Sequence, residues 1–402
     1  MSEATAAGAS GTSAQGDTPA GRDAIVAAQG FADELRRRAA EIEQARRIPQ
    51  DLSDRFAAVG LYATCVPEAY GGLELTPADT ARVIEHLAQA DGSAAWCVFI
   101  GATSGSALAT LPEDSARAIF SRPDVRIAGV FAPRGRAVHD GDGFRASGRW
   151  PWGSGTQNSD FVLAGCLFES DGEIERLAGG APRAHMVLVP ALEVTFHDTW
   201  HTSGLCGTGS TDFELIDVSV PADRVVGLLR PVPIERPLYA FPMFGLLALG
   251  IAAVALGLAR ASIAELIAIA DGKHPAASRR TLAERHSAQA DVAEAEALLR
   301  SARAFFYEAI EGAWACALAS GSIPVERRRD LRLSTTHAVR SSARAVDLMY
   351  TLAGGTSVYR ESPLQRIFRD VHVATQHMMV AAPTMDVVGR LLLGLETDVS
   401  QL

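Results

Sequence analysis

Apolar residues recur three and four apart from about Asp23 to Arg122, through Ile25, Ala28, Phe31, Ala32 and Leu35 and again through Leu52, Phe56 and Val59. That is the spacing of helices that turn one face inward. Pro49 precedes a short helix ending near Gly60, Pro67 and Gly71-Gly72 mark a loop, and Thr76-Pro77 supply an N-cap and a first-turn proline for a helix through Ile84 and Leu87. The period changes after about Val125. Short runs, Arg126 to Phe131, Gly143 to Trp152, Phe161 to Phe168, His185 to Val189, Val194 to Asp198 and Phe213 to Val220, are separated by Gly, Asp, Pro and Asn. Strands without intervening helices predict a small antiparallel barrel or sandwich. Beyond Pro237 the helical period returns, and Ala295, Leu298, Leu299, Ala302, Phe305, Phe306, Ala309 and Ala313 form one long face. Four helices, about Phe241 to Asp271, Ala288 to Ser320, Val325 to Ala353 and Pro363 to Leu393, predict a four-helix bundle. The expected fold is α+β and mainly α: a disordered tail over 1–22, a helical domain over 23–125, a middle antiparallel β-barrel domain over 126–228 and a C-terminal four-helix bundle over 229–402.

Two segments are open to misreading. The stretch from Met1 to about Gly21 has no basic start and no apolar middle, so it is not a secretory signal and reads as a tail. From Phe241 to Ala259 no residue is charged, the length of a membrane span. Gly245, Gly250, Gly257 and many alanines keep that run weakly hydrophobic, and Arg260 and Glu265 continue the pattern, so a buried bundle helix is expected and no second span is seen.

Composition narrows the class. With 402 residues, 48% hydrophobic and 21% charged, the chain is ordinary globular material rather than a rod or a disordered coil. Its 37 Lys plus Arg against 47 Asp plus Glu, a net charge of -10, argues against nucleic acid as a partner. Five cysteines, odd in number and without a CxxC pair, argue against a disulfide framework and fit a reducing cytoplasm. No P-loop, no GxGxxG after a strand and no GxSxG elbow are present. His197 and His201 lie in a strand-to-loop region, and His372 and His377 stand five apart on a predicted helix; neither pair shares a face, so no metal site is expected.

Three motifs in order then become recognisable: Val66-Pro67-Glu68-Ala69-Tyr70-Gly71-Gly72, Gly148 to Gly155 with Trp150-Pro151-Trp152-Gly153-Ser154, and Arg366-Ile367-Phe368-Arg369-Asp370. They resemble the acyl-CoA dehydrogenase superfamily over nearly all of the chain after residue 23. Asp91 to Trp96, Trp200-His201 through Gly204 to Ser210, and Arg369-Asp370-Val371-His372 with His377 are most similar to the branch that contains two-component flavin monooxygenases. The resemblance implies FAD or FMN held between β domain and bundle, O2, a separate flavin reductase, a small organic or aromatic substrate, and usually a homotetramer. It implies Trp152 over the flavin ring and Ser154 near flavin N5, where a hydroxyl can donate or accept. It puts Arg279 or Arg280 against a neighbouring subunit's flavin diphosphate, which a guanidinium fork suits, and Phe131, Gly354, Gly355 and Arg369 among the cofactor contacts. The family's adenine-side glutamine falls on Thr351.

One departure bears on the chemistry. A dehydrogenase of this superfamily removes a proton with a glutamate, and the two positions where members carry it fall here on Met378 and among Phe241 to Gly245, none of them a carboxylate. His377, one residue before Met378, matches the histidine that the monooxygenases place over the flavin, able to hydrogen-bond oxygen activated there or to deprotonate a phenol. A second histidine that some relatives carry is missing from Phe99 to Ser104; Trp96, Phe99, Ile100, Met378 and Met379 suit a water-excluding pocket. The expectation is a reduced-flavin monooxygenase with His377 and Ser154 at the reacting centre. An FAD-dependent acyl-CoA dehydrogenase and a catalytically silent flavin-binding protein are the alternatives.

Overall fold

The computed structural model describes residues 18–177, 179–227, 234–276, 278–400 and 402. Helix α1 (Pro19–Gly30) starts inside the stretch expected to be a tail, because Thr18 caps it, accepting from Gly21 N–H, and Pro19 fills the first turn. Thr18 also donates to Asp79 at 3.0 Å, and Gly21 lies where a Cβ would meet that carboxylate at 2.5 Å, which ties the helix start to the domain. Residues 1–17, the rest of the expected tail, lie outside the described residues. Helices α2 (Ala32–Ala45), α3 (Gln50–Ala58) and α4 (Pro77–Ala88) follow, the last capped by Thr76. Asp91 accepts from Ala94 N–H and caps α5 (Gly92–Gly105), which is buried along its whole length; α6 (Glu113–Ile119) completes the region.

The middle region forms one eight-stranded sheet. Its strands are β1 (Ile127–Asp140), β2 (Gly143–Trp150), β3 (Phe161–Ser170), β4 (Glu173–Ile174), β5 (Ala184–Pro190), β6 (Thr195–His197), β7 (Asp212–Pro221) and β8 (Val225–Val226). The order β6-β7-β2-β1-β3-β5-β8, with β4 on β3, is open at both ends, so the expected closed barrel does not form. Nor is the sheet wholly antiparallel: β1 pairs with β3 in parallel, from Ile127 against Phe161 to Val138 against Glu169. Alternation announces strands but not their partners, and here β1 lies between β2 and β3, so the segment 151–160 must pass across it. That crossing segment carries Trp152 and Ser154.

The C-terminal helices are α7 (Met243–Ala270), α8 (His286–Ser320), α9 (Val325–Ala353), α10 (Pro363–Ala374) and α11 (Pro383–Leu392). The expected fourth long helix is therefore two short ones. Proline at position 383 has no N–H to give to an upstream turn and sits in the first turn of α11, which leaves 375–382 as a connecting turn containing His377. Three long helices and two short ones replace the simple bundle of four. Helix α7 packs against α4, α5, α9 and α10, and one hydrophobic core runs from the N-terminal helices through it into the C-terminal ones. Among the described residues two segments are long and apolar enough to cross a membrane, α7 and Gly92–Thr110, the second unforeseen; both are buried inside the fold.

Candidate active site

Trp152 stands at φ 65°, a left-handed backbone that costs a bulky side chain energy, and the residue is 65% exposed. The Arg134 guanidinium lies 6.0 Å from the ring centroid. A large aromatic face held outward by strained backbone is a surface made for contact.

Two residues on, Ser154 is 7% exposed and enters a chain of hydroxyls. Trp96 of α5 donates its indole N–H to Ser154 Oγ at 3.1 Å; Ser154 and Ser210 hydroxyls are 2.6 Å apart, as are Ser210 and Thr208. Thr208 donates to the Leu205 carbonyl at 2.8 Å. A hydroxyl has one proton, so that last bond fixes the direction of the rest: Ser210 gives to Thr208, Ser154 gives to Ser210, and Ser154 receives from Trp96. Ser154 keeps one lone pair and no proton for a ligand.

The Trp96 indole lies 5.8 Å from the imidazole of His377 and 4.9 Å from the ring of Phe99. His377 Nδ1 accepts from the backbone N–H of Met379 at 3.2 Å, so in the neutral ring the proton is on Nε2. Burial first, and the Arg332 charge second, push its pKa down to about 4. His377 is thus a neutral hydrogen-bond donor at neutral pH. Met378 turns the other way and is 64% exposed, so the position where a dehydrogenase keeps its base holds a thioether facing outward.

Behind the turn Arg332 of α9, 4% exposed, donates to Met379 Sδ at 3.3 Å, and burial pulls its pKa down to about 10. Met379 therefore touches both His377, through its backbone, and Arg332, through its sulfur.

The other expected cofactor residues fall in different places. Phe131 is half-buried between two cores. Arg279 and Arg280 are exposed on the connection between α7 and α8, where Arg280 N–H donates to Ser278 Oγ at 3.1 Å. Gly354 and Gly355 form the exposed turn after α9, with Gly354 at φ 53°. Arg369 pairs with Glu43 at 2.7 Å and donates to Gln365 Oε1 at 2.8 Å and to the Ser203 carbonyl, so it clasps α10 to α2 and to the loop before Ser210. His197 pairs with Glu214 at 2.9 Å and His201 lies 3.6 Å from Asp198; among the described residues no cluster of three metal-ligating side chains occurs.

What the sequence reading missed is the polar role of Trp96, counted only as an apolar wall, and Arg332, hidden in the run Glu326-Arg327-Arg328-Arg329-Asp330-Leu331-Arg332. The available signal was helical phase. Arg332 is one turn before Thr336 on the side of α9 that buries Leu331, Thr335 and Val339, an inward position for a charge.

Comparison with known proteins now bears on this geometry. Residues 23–117 match the family "Acyl-CoA dehydrogenase, N-terminal domain" and residues 249–382 match "Acyl-CoA dehydrogenase, C-terminal domain". An indole-3-acetate monooxygenase of Pseudomonas putida is 37% identical over 361 residues, 89% of this chain and 90% of the relative. The oxygenase component of an FADH2-dependent resorcinol hydroxylase of Rhizobium sp. is 28% identical over 388 residues, 91% and 93% of the two chains. The crystal structure of the HsaA monooxygenase from M. tuberculosis superposes with a TM-score of 0.86 at 25% identity, covering 95% of this chain and 100% of that one. Fold and site together define a flavoprotein oxidoreductase. The chain belongs to the acyl-CoA dehydrogenase superfamily, on its branch of flavin-dependent monooxygenases. The dehydrogenase and silent-protein alternatives are set aside on that ground.

The residues fit a reduced flavin. Ser154, with a lone pair and no free proton, matches the N–H that a flavin carries at N5 only when reduced, and the outward ring of Trp152 offers a flat cover.

Proposed function

We propose that the protein is the oxygenase component of a two-component system, hydroxylating a small aromatic substrate with O2 and reduced FAD or FMN delivered by a separate reductase. The observation that carries this reading is His377: a neutral Nε2–H donor beside Trp96, one residue before the position where a dehydrogenase needs a carboxylate base. Bound reduced flavin supplies two electrons, so that one oxygen atom of O2 enters the substrate and the other leaves as water. The chain's own residues orient and protect. Ser154 accepts, which favours the reduced form at this site; Trp152 covers; Arg279 or Arg280, on the exposed α7–α8 connection, and Gly354 and Gly355 suit the phosphate-bearing end. Trp96, Phe99 and Ile100 are buried apolar walls that keep water from the reacting atoms. His377 Nε2–H points a proton at an oxygen acceptor without being consumed as a base. That narrows the two roles the sequence allowed it.

The test is His377→Ala in the full-length protein loaded with reduced FAD. Flavin affinity is expected to stay within about threefold, while the ratio of hydroxylated product to hydrogen peroxide falls about 10²-fold, the usual cost of removing one preorganised donor. Because the imidazole stays neutral above about pH 4, wild-type coupling should be flat from about pH 5 to 8. A bell with an inflection near the ordinary histidine value, or reduction of bound flavin by an acyl-CoA, would overturn the reading.

A further inference from the structure

Among the described residues Arg332 is a buried charge with no opposite charge paired to it. Its Nε has no hydrogen-bond partner, its only bond is to the Met379 sulfur, and it is in no ion pair among the described residues. The neighbours along the same side of α9 repeat the pattern: Arg328 Nε one turn before it and Thr336 Oγ1 one turn after it are also buried without partners. Natural proteins rarely leave these groups unsatisfied, and a desolvated guanidinium least of all, unless an absent group completes the set. The group that would satisfy Arg332 is an anion with two acceptor oxygens, since its fork matches a carboxylate. Its position says whose anion. Met379 links Arg332 directly to His377, the donor at the reacting centre, so an anion here is within one small molecule's reach of that centre.

We propose that Arg332 is a specificity-determining residue that anchors the carboxylate of an aromatic acid, so that the substrate lies between this guanidinium and His377. The inference rests on the monooxygenase reading above and deepens it.

The experiment is calorimetric binding to the full-length protein loaded anaerobically with reduced FAD. The probes are indole-3-acetate, phenylacetate and benzoate, each against its uncharged amide. At least one acid should bind wild type about 10- to 100-fold more tightly than its amide, the range for a charge-assisted hydrogen bond. Arg332→Gln should abolish that ratio by weakening the acid and leaving the amide unchanged; Arg332→Lys, which keeps the charge but not the fork, should restore part of it. Equal affinity for acids and amides in wild type would overturn the inference even if neither variant folds. So would Arg332→Gln weakening acid and amide alike, which marks a structural role, or weakening reduced FAD with the acid-to-amide ratio unchanged, which marks a cofactor phosphate. Flavin loading is measured first and separately. Its failure would count against the flavin reading, and the acid-to-amide ratio on the flavin-free chain would still decide Arg332.

Discussion

A hydroxyl gives one proton, and at Ser154 that proton is already given. The Trp96–Ser154–Ser210–Thr208 chain ends on a backbone carbonyl that can only accept, so its polarity is set by the fold rather than by the ligand. Ser154→Ala should therefore weaken reduced FAD about 5- to 10-fold more than oxidised FAD, read as the ratio of the two dissociation constants, because only the reduced ring brings an N–H to the lone pair. An equal loss for both forms would show that the hydroxyl does not discriminate. Thr208→Val, which removes the carbonyl anchor and frees the direction of the chain, should narrow the wild-type preference without touching the ligand. At this scale the sequence showed Ser154 as a hydroxyl able to work either way. The choice came from two residues more than fifty positions downstream and from an indole on another element.

Among elements, the turn 375–382 between α10 and α11 does most to shape the site. It places His377 against α5 and Met379 against α9, and α10 holds it in position through the Asp370 carboxylate, which accepts from Leu205 N–H at 2.6 Å. Gly204 permits that approach, since a Cβ there would meet the Arg369 carbonyl at 2.4 Å. Asp370 is fully buried, and burial first, with the nearby Asp91 charge adding to it, raises its pKa to about 7. The folded state thus binds a proton that the unfolded chain has released between about pH 4 and 7, and this contribution to stability is present below about pH 4 and lost as pH rises through about 7. Asp370→Asn keeps an acceptor for Leu205 and removes the titration. Its Tm should match wild type near pH 4.5 and exceed it by on the order of 2 °C by pH 7.5, measured by scanning calorimetry. A difference that does not change with pH would show that Asp370 is already ionised in the fold. The opposite shift of His377 is present in both proteins and cancels. The break that makes this turn was marked in the sequence by Pro383, but the apolar run from Met378 to Ala382 continues the helical period across it.

For the whole molecule, one core links the N-terminal helices to α7, and the sheet is the separate unit that delivers Trp152 and Ser154 to their edge. Ile267, on α7, and Leu318, on α8, remain exposed and apolar. We propose a homotetramer on this ground, in which a neighbour's Arg279 or Arg280, exposed on the α7–α8 connection, would reach the cofactor. Light scattering should give four times the 42.5 kDa chain mass at micromolar concentration. A monomer that still binds reduced FAD would count against it.

Local pattern determined most of the helical and extended segments, because periods of 3.6 and 2 are properties of neighbouring side chains: α9 runs over Val325–Ala353 as its spacing implies, whereas the break at 375–382 lies across an unbroken helical period. The cap at Thr76 was equally legible, since it acts on a residue three positions away. The missing base was legible too, an absence at Met378 that needs no coordinates. Tertiary structure alone decided the parallel pairing of β1 with β3, the proton direction at Ser154, the tautomer of His377 and the solitude of Arg332. The pairing and the proton direction depend on partners distant in sequence, the His377 tautomer on a turn that brings the Met379 N–H back to the ring, and Arg332 on the lack of a partner once water is excluded. No spacing rule along the chain carries that information, because burial is a property of the assembled fold.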